Sequence, residues 1–262
     1  MDLSLGNTLV SLPLTLGLCL GMLLALEAGR RLGIRRLARD PEGARAGLGT
    51  VEGSMFALLG LLIAFTFNGA AARFDTRRDL IVQEANAVST AWARLDILPP
   101  QHRDPLRDLF RRYLDSRLEI YRLLPDLDAA KAAWVKSGAL QQEIWNAATA
   151  ACRTDERGGV SLLVLPPLNE MFDITTTRTM AMSHHPPVVI FGMLFVLSLA
   201  CSMLAGYGMA PGRERSWTHM LGFAFITAVA IYVIMDLEFP RLGFIRVDAA
   251  DRALIQLRQG MN

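Results

Sequence analysis

Four stretches of about twenty residues carry no charged side chain, and they limit the possible fold more than any other feature. They are Leu9 to Leu26, Gly53 to Ala72, Pro187 to Tyr207 and Trp217 to Met235. A helix rises about 1.5 Å per residue, so about 20 apolar residues cross a hydrocarbon layer of about 30 Å. Inside lipid each backbone amide must bond within its own segment, which makes such runs helices. Charge resumes at their ends, with Glu27, Arg30 and Arg31 after the first run, Arg73 after the second and Asp236 after the fourth. Tyr207 and Trp217 stand where aromatic rings anchor at the membrane surface. Met1 to Asn7 has no basic residue, so the first run is expected to stay as a membrane helix and not to be a cleaved signal. The lipid bilayer is therefore the chain's first expected partner.

The plan that follows is all-α and polytopic, with four transmembrane helices. Residues 1–72 hold the first pair of spans (about 9–26 and 53–72) and their Arg-rich connection. Residues 73–186 form an extramembrane helical domain between spans two and three. Residues 187–236 hold the second pair (about 187–207 and 217–235), and 237–262 a C-terminal tail. Within the polar region, Arg73 to Leu98 reads as one long helix stopped by Pro99-Pro100. From Pro105 to Leu124, Leu106, Leu109, Phe110, Tyr113, Leu114, Leu118 and Tyr121 recur every three or four residues, the stripe of an amphipathic helix. Pro125 ends it. A third helix is expected from about Asp126 to Arg153, with Ala130, Trp134, Leu140, Ile144 and Ala148 inward. Gly158-Gly159 marks a loop, Val160 to Leu165 leads to Pro166-Pro167, and a last helix runs from Leu168 to about Met182.

The charge pattern excludes some roles and leaves one question open. A net charge of +2 gives no reason to expect nucleic acid as a partner. Only Lys131 and Lys136 among 27 basic residues are lysine, a habit of GC-rich bacterial genomes, so the expected location is a bacterial inner membrane. Arg30, Arg31, Arg35, Arg36, Arg39 and Arg45, with Arg213 and Arg215, lie on one side of the spans. Arg73, Arg77, Arg78, Arg178, Arg241, Arg246 and Arg252 lie on the other, and so balanced a distribution leaves the orientation open.

Chemistry-bearing patterns are few. Ala57, Leu61 and Phe65 fall at i, i+4 and i+8 of the second span. One reading makes them stacked apolar rings around an axial pore, gating by dewetting; the other packs them against a neighbouring helix. Asn68 either lines the same conduit or bonds a partner helix. Arg73 and Arg77, one turn apart, either draw anions to a pore mouth or reach for headgroups. Asp236 and Glu238, followed by Pro240, Arg241, Gly243 and Arg246, read as inter-helix ion pairs more readily than as a cation site, for which two carboxylates are few. Gly17 and Gly21 form a Gly-xxx-Gly pair suited to close helix contact.

No metal or cofactor is expected. His184 and His185 are adjacent, so they point to different helix faces, and Cys19, Cys152 and Cys201 have no ligand spacing. Ser54, Ser198 and Ser202 have no histidine near them in the sequence to pair with as a base, and no enzyme is expected.

Residues Gly53 to Ser89 resemble the second membrane helix of bestrophins: an apolar face ending in Phe, an Asn/Ala segment, then Arg-aromatic and another Arg. Leu168-NEMFDITTTRTM-Ala181 and Asp236-LEFPRLGFIR-Val247 are similar to a bacterial bestrophin-like domain family, and this resemblance covers almost the whole chain. Bestrophins are pentameric anion channels whose second helix lines the pore, with a helical cytosolic part between spans two and three. The resemblance thus implies a homo-oligomer, an inorganic anion as the permeant partner, and an apolar neck at Ala57, Leu61 and Phe65. It also places both termini and the helical domain in the cytosol. The chain departs from the pattern at Ala57, which is small for a neck, and at Phe74-Asp75, where a tryptophan pair is usual. The acidic cluster that binds calcium is reduced to Asp236 and Glu238, so calcium gating is expected to be absent. Two functions stay open: an oligomeric anion channel, or a non-conducting membrane scaffold or sensor whose helical domain binds a partner protein.

Overall fold

A computed structural model describes residues 8–40, 48–124, 126–154, 159–212, 216–241 and 243–261. The expected Pro125 break, Gly158, the segment 1–7 and the loop arginines Arg45, Arg213 and Arg215 lie outside these residues. Among the described residues the chain is all-α, in the order α1 (Thr8–Arg39), α2 (Leu48–Arg94), α3 (Pro100–Arg122), α4 (Leu127–Cys152), α5 (Gly159–Ser183), α6 (Val188–Gly208), α7 (Trp217–Glu238) and α8 (Asp248–Gln259). A 3₁₀ turn at Leu95–Ile97 separates α2 from Pro99-Pro100, and Pro100 then opens α3, where a missing amide costs nothing. Four helices are long and apolar enough to cross a membrane, and the chain is a multi-pass membrane protein.

The chain divides into two compact units: residues 1–73 with 185–245, and residues 74–184 with 246–262. The first boundary falls inside α2. Span two and the polar helix after it are one helix of 47 residues, because no proline interrupts the sequence between them.

The membrane unit is built on a close crossing of α1 and α6. A Cβ placed on Gly206 would strike the Leu26 carbonyl, and one on Gly29 the Met203 carbonyl. One on Gly33 would meet Tyr207 and Ala210. Backbones touch here, which is how helices gain contact in a solvent as apolar as their side chains. The glycines expected to do this sit differently: Gly17 faces open space and Gly21 meets only the Leu199 side chain, at 3.2 Å. Leu18 and Met22 of α1 pack with Leu194 of α6 and Ala224, Ile231 and Met235 of α7. The α2 helix joins through Leu59 against Leu197 and Cys201, and through Phe56, edge-on to Phe223 with centroids 5.6 Å apart.

In the helical unit, Leu106, Phe110, Tyr113 and Leu114 of α3 are fully buried against Leu140, Ile144 and Ala148 of α4. Asp126 caps α4 by accepting from the Ala129 amide at 3.0 Å. Two expectations need correction. Trp134 does not point inward; it is half exposed, and Ala133 and Ser137 fill the buried stripe, because α4 packs through small residues. Pro166-Pro167 does not divide two helices: α5 runs through both, held on either side by the buried Val164, Leu168 and Met171. Tertiary packing here offsets the lost amide bonds.

The C-terminal tail contains α8, whose Leu254 is fully buried. Its Arg258 forks onto Asp115 of α3 at 2.8 and 3.0 Å, and Arg111 donates to the Met261 carbonyl at 2.6 Å. Acids in its first turn and Arg258 in its last suit the helix dipole.

Candidate functional site

The apolar half of α2 is the least covered of the four spans. Of its most apolar eighteen residues 11% are buried within the chain, against 50% for α7. Ala57, Leu61, Phe65 and Asn68 all lie on the uncovered side, with Leu61 52% and Phe65 67% exposed. The opposite side, with Met55, Phe56, Leu59, Leu62 and Ile63, is the one that packs on α6 and α7. The stripe therefore faces away from the chain's own spans, toward lipid or toward other copies.

At the end of this face stands an ion pair. Arg73 Nε donates to Glu238 Oε1 at 2.8 Å and Oε2 at 3.2 Å, and a terminal nitrogen adds a third bond. Glu238, last residue of α7, has no exposed side-chain surface, whereas Arg73 keeps a third of its own. A buried carboxylate is tolerable only when paired, so Arg73 fixes the end of the α2 span to the end of α7. His185, next to the Pro186-Pro187 pair before α6, places Nδ1 3.5 Å from Glu238 Oε2. Its ring stacks on Phe239 with centroids 4.5 Å apart.

Asp236 does something else. Its Oδ1 accepts from the Phe244 amide at 3.1 Å and its Oδ2 from the Ile245 amide at 2.7 Å, with the Tyr232 hydroxyl donating at 3.3 Å. It ties down the turn that follows α7. Gly243 is required there, since a Cβ would overlap the Asp236 carboxylate. The two acids thus turn to different partners and do not converge on a shared point. Asp236→Ala leaves two amides unpaired and is expected to cost about 1–3 kcal/mol, read as a lowered thermal midpoint of the purified protein in detergent.

The other arginines separate. Arg77 is buried, and donates through Nε to the Ala181 carbonyl at 3.1 Å and through Nη2 to the His184 carbonyl at 2.9 Å. It closes the C-terminal end of α5. Arg246 is exposed and pairs locally with Asp248 at 2.8 Å, and Arg241 is half-buried in the turn after α7.

A second ionic cluster lies in the helical unit, and sequence reasoning did not single it out. Glu84 of α2 is fully buried between Arg117 of α3 and Arg178 of α5. Arg117 donates to Oε1 at 2.6 Å and to Oε2 at 3.2 Å, while Arg178 takes Oε2 from the other side. The Tyr121 ring lies under the Arg178 guanidinium, 4.3 Å away, and Asp251 of α8 lies 3.6 Å from Arg178. Burial raises the Glu84 carboxyl, but the two guanidiniums outweigh it and hold the group below the usual carboxylate range. Burial pushes the Tyr113 hydroxyl up, and Gln141 bonds it at 3.2 Å. The available signal was a charged residue inside an apolar stripe: Glu84 among Ile81, Ala85 and Val88, and Arg117 between Leu114 and Tyr121.

A family profile for the bestrophin-like domain matches residues 24–251, from the middle of α1 into α8. The chain belongs to the bestrophin-like domain family. No curated protein and no solved structure matches it. In bestrophin-like terms the matched region takes in the whole α2 face, the Arg73–Glu238 pair, the Asp236 turn and the Glu84 cluster.

Proposed function

We propose that this bestrophin-like protein is an oligomeric anion channel of a bacterial inner membrane, with α2 lining the pore. The uncovered face of α2 carries the proposal. A helix that packs through one side only, and leaves Leu61 and Phe65 outward, suits a wall shared among copies around an axis. Rings of Ala57, Leu61 and Phe65 form a dry constriction that opens by wetting, with Asn68 at its polar end. Arg73, partly exposed beyond the apolar stretch, raises local anion concentration, and Glu238 fixes its position. The ring contains five copies, as in the bestrophins the chain resembles. The role is non-enzymatic and uses no cofactor.

Purified protein in planar bilayers is expected to pass chloride. Phe65→Ala and Leu61→Ala are expected to raise unitary conductance, because a smaller apolar ring lowers the dewetting barrier. Silent bilayers across pH and salt, from a sample whose ring assembly is confirmed, would overturn the proposal.

Exposed apolar residues on the helical unit, Trp134 and Val135 of α4, favour the second reading, a non-conducting scaffold or sensor that docks a partner protein. A monomer or dimer in detergent would support that reading over the channel.

A further inference from the structure

The end of the membrane unit where α1 leaves its apolar stretch carries unbalanced positive charge. The α1 helix continues well past Leu26 to Arg39, and that extension holds Arg30, Arg31, Arg35, Arg36 and Arg39. Two are locally satisfied, Arg31 by Glu27 at 2.8 Å and Arg36 by Asp40 at 3.7 Å. Among the described residues Arg35 and Arg39 have no carboxylate partner, and both are exposed beside the exposed Leu32 and Ile34. Arginines interleaved with apolar side chains on a helix leaving a bilayer lie at headgroup level.

A cavity of about 250 Å³ opens at the same end, lined by Arg30, Met209, Pro211, Gly212, Ser216 and Met220. Arg30 is set in its wall: one terminal nitrogen donates to the Gly212 carbonyl at 3.2 Å, which leaves the rest of the guanidinium for another acceptor. Tyr207, near the end of α6, and Trp217, at the start of α7 and half exposed, mark the membrane surface at this level. The volume equals that of about eight waters, room for a phosphate and part of its glycerol.

We propose that this cavity binds the phosphodiester headgroup of an anionic phospholipid, with Arg30 as the phosphate ligand and the methionines against the glycerol and upper acyl chain. The argument is charge complementarity at the depth where lipid phosphates lie, and it stands apart from whether the chain conducts. Glu52 of α2 rests its carboxylate near Gly208, on the cavity's edge. It opposes an anion, so removing its charge strengthens the site.

The test is thermal unfolding of the full chain in zwitterionic detergent, titrated with dioleoylphosphatidylglycerol, dioleoylphosphatidylcholine or inorganic phosphate. A ligand of the folded state raises the midpoint by mass action. Phosphatidylglycerol is expected to raise it saturably, and phosphatidylcholine and inorganic phosphate are not. Arg30→Gln, which keeps an amide for Gly212, is expected to need about fivefold more phosphatidylglycerol. Glu52→Gln is expected to need less, and Arg112→Ala, in the helical unit, the same as wild type. Equal shifts by both lipids, or an unchanged requirement in Arg30→Gln, would overturn the site. A shift by inorganic phosphate matching that of phosphatidylglycerol would overturn the lipid assignment in favour of a free anion. Should Arg30→Gln fail to fold, a Glu52→Gln protein that needs no less lipid than wild type overturns the proposal by itself.

Discussion

Glu84→Gln is expected to destabilise the helical unit by about 3–5 kcal/mol, the cost of leaving buried charge without its counter-charge. Two guanidiniums converge on this carboxylate from α3 and α5, and both arginines are almost fully buried. Asp251, 3.6 Å from Arg178, pairs with one of the two. Denaturant titration followed by tryptophan fluorescence reads the unit directly, because Trp92, Trp134 and Trp145 belong to it and Trp217 does not.

The pH dependence follows from the same geometry. The folded carboxyl is held below its ordinary range, so its contribution is complete above the unfolded pKa and is lost as pH falls through the folded one. Wild-type stability should therefore decline through the acid range, and Glu84→Gln should flatten that decline. Replacing all three charged residues with apolar ones of similar size should restore much of the loss. A Glu84→Gln protein within about 0.5 kcal/mol of wild type would show that the cluster holds nothing together.

How far the sequence could be read depended on the range of each interaction. The spans were legible because crossing lipid imposes a length and forbids charge, both visible within one stretch of chain. The helical period put Ala57, Leu61 and Phe65 on one face of α2, but it left open whether that face packs against a neighbouring helix. The Glu84 cluster was not legible as a cluster, because its members lie 33 and 94 residues apart. Each half, read alone, was a charged residue inside an apolar stripe, with nothing in the sequence to name its partner. Asp236 and Glu238 were legible as an important pair but not in their roles. Two residues apart on a helix they diverge, one toward the amides of the following turn and the other toward Arg73. The prolines of α5 misled for a related reason: propensity is local, and it is overridden by the packing of Val164, Leu168 and Met171 in a core shared with residues of α2, α3 and α4, distant in the sequence.

Gly206→Leu is expected to disrupt the membrane unit, at about 3 kcal/mol or more, the upper end of what overpacking costs. Its would-be Cβ meets the Leu26 carbonyl, and backbone cannot rotate aside as a side chain can. Relief requires α1 and α6 to separate, which also loses the contacts of Gly29 with Met203 and of Gly33 with Tyr207. No hydrophobic force pulls the helices back together, because lipid solvates the exposed faces as well as another helix does. Denaturation by a harsh detergent, followed by Trp217 emission in a protein whose other three tryptophans are replaced by phenylalanine, is the measurement. Gly17→Leu is the matched control: the same added volume on the other helix of the pair, α1, at a glycine with nothing within 4 Å. If the two variants unfold together, proximity of backbones does not hold this pair. If only Gly206→Leu fails, the working glycine contacts are those that extend beyond the apolar run of α1. Gly29 and Gly33 both follow Glu27, so a search confined to uncharged residues passes over them. Helix pairing here reaches to the level of the arginines, and the same backbone crossing that joins α1 to α6 sets Arg30 beside Gly212.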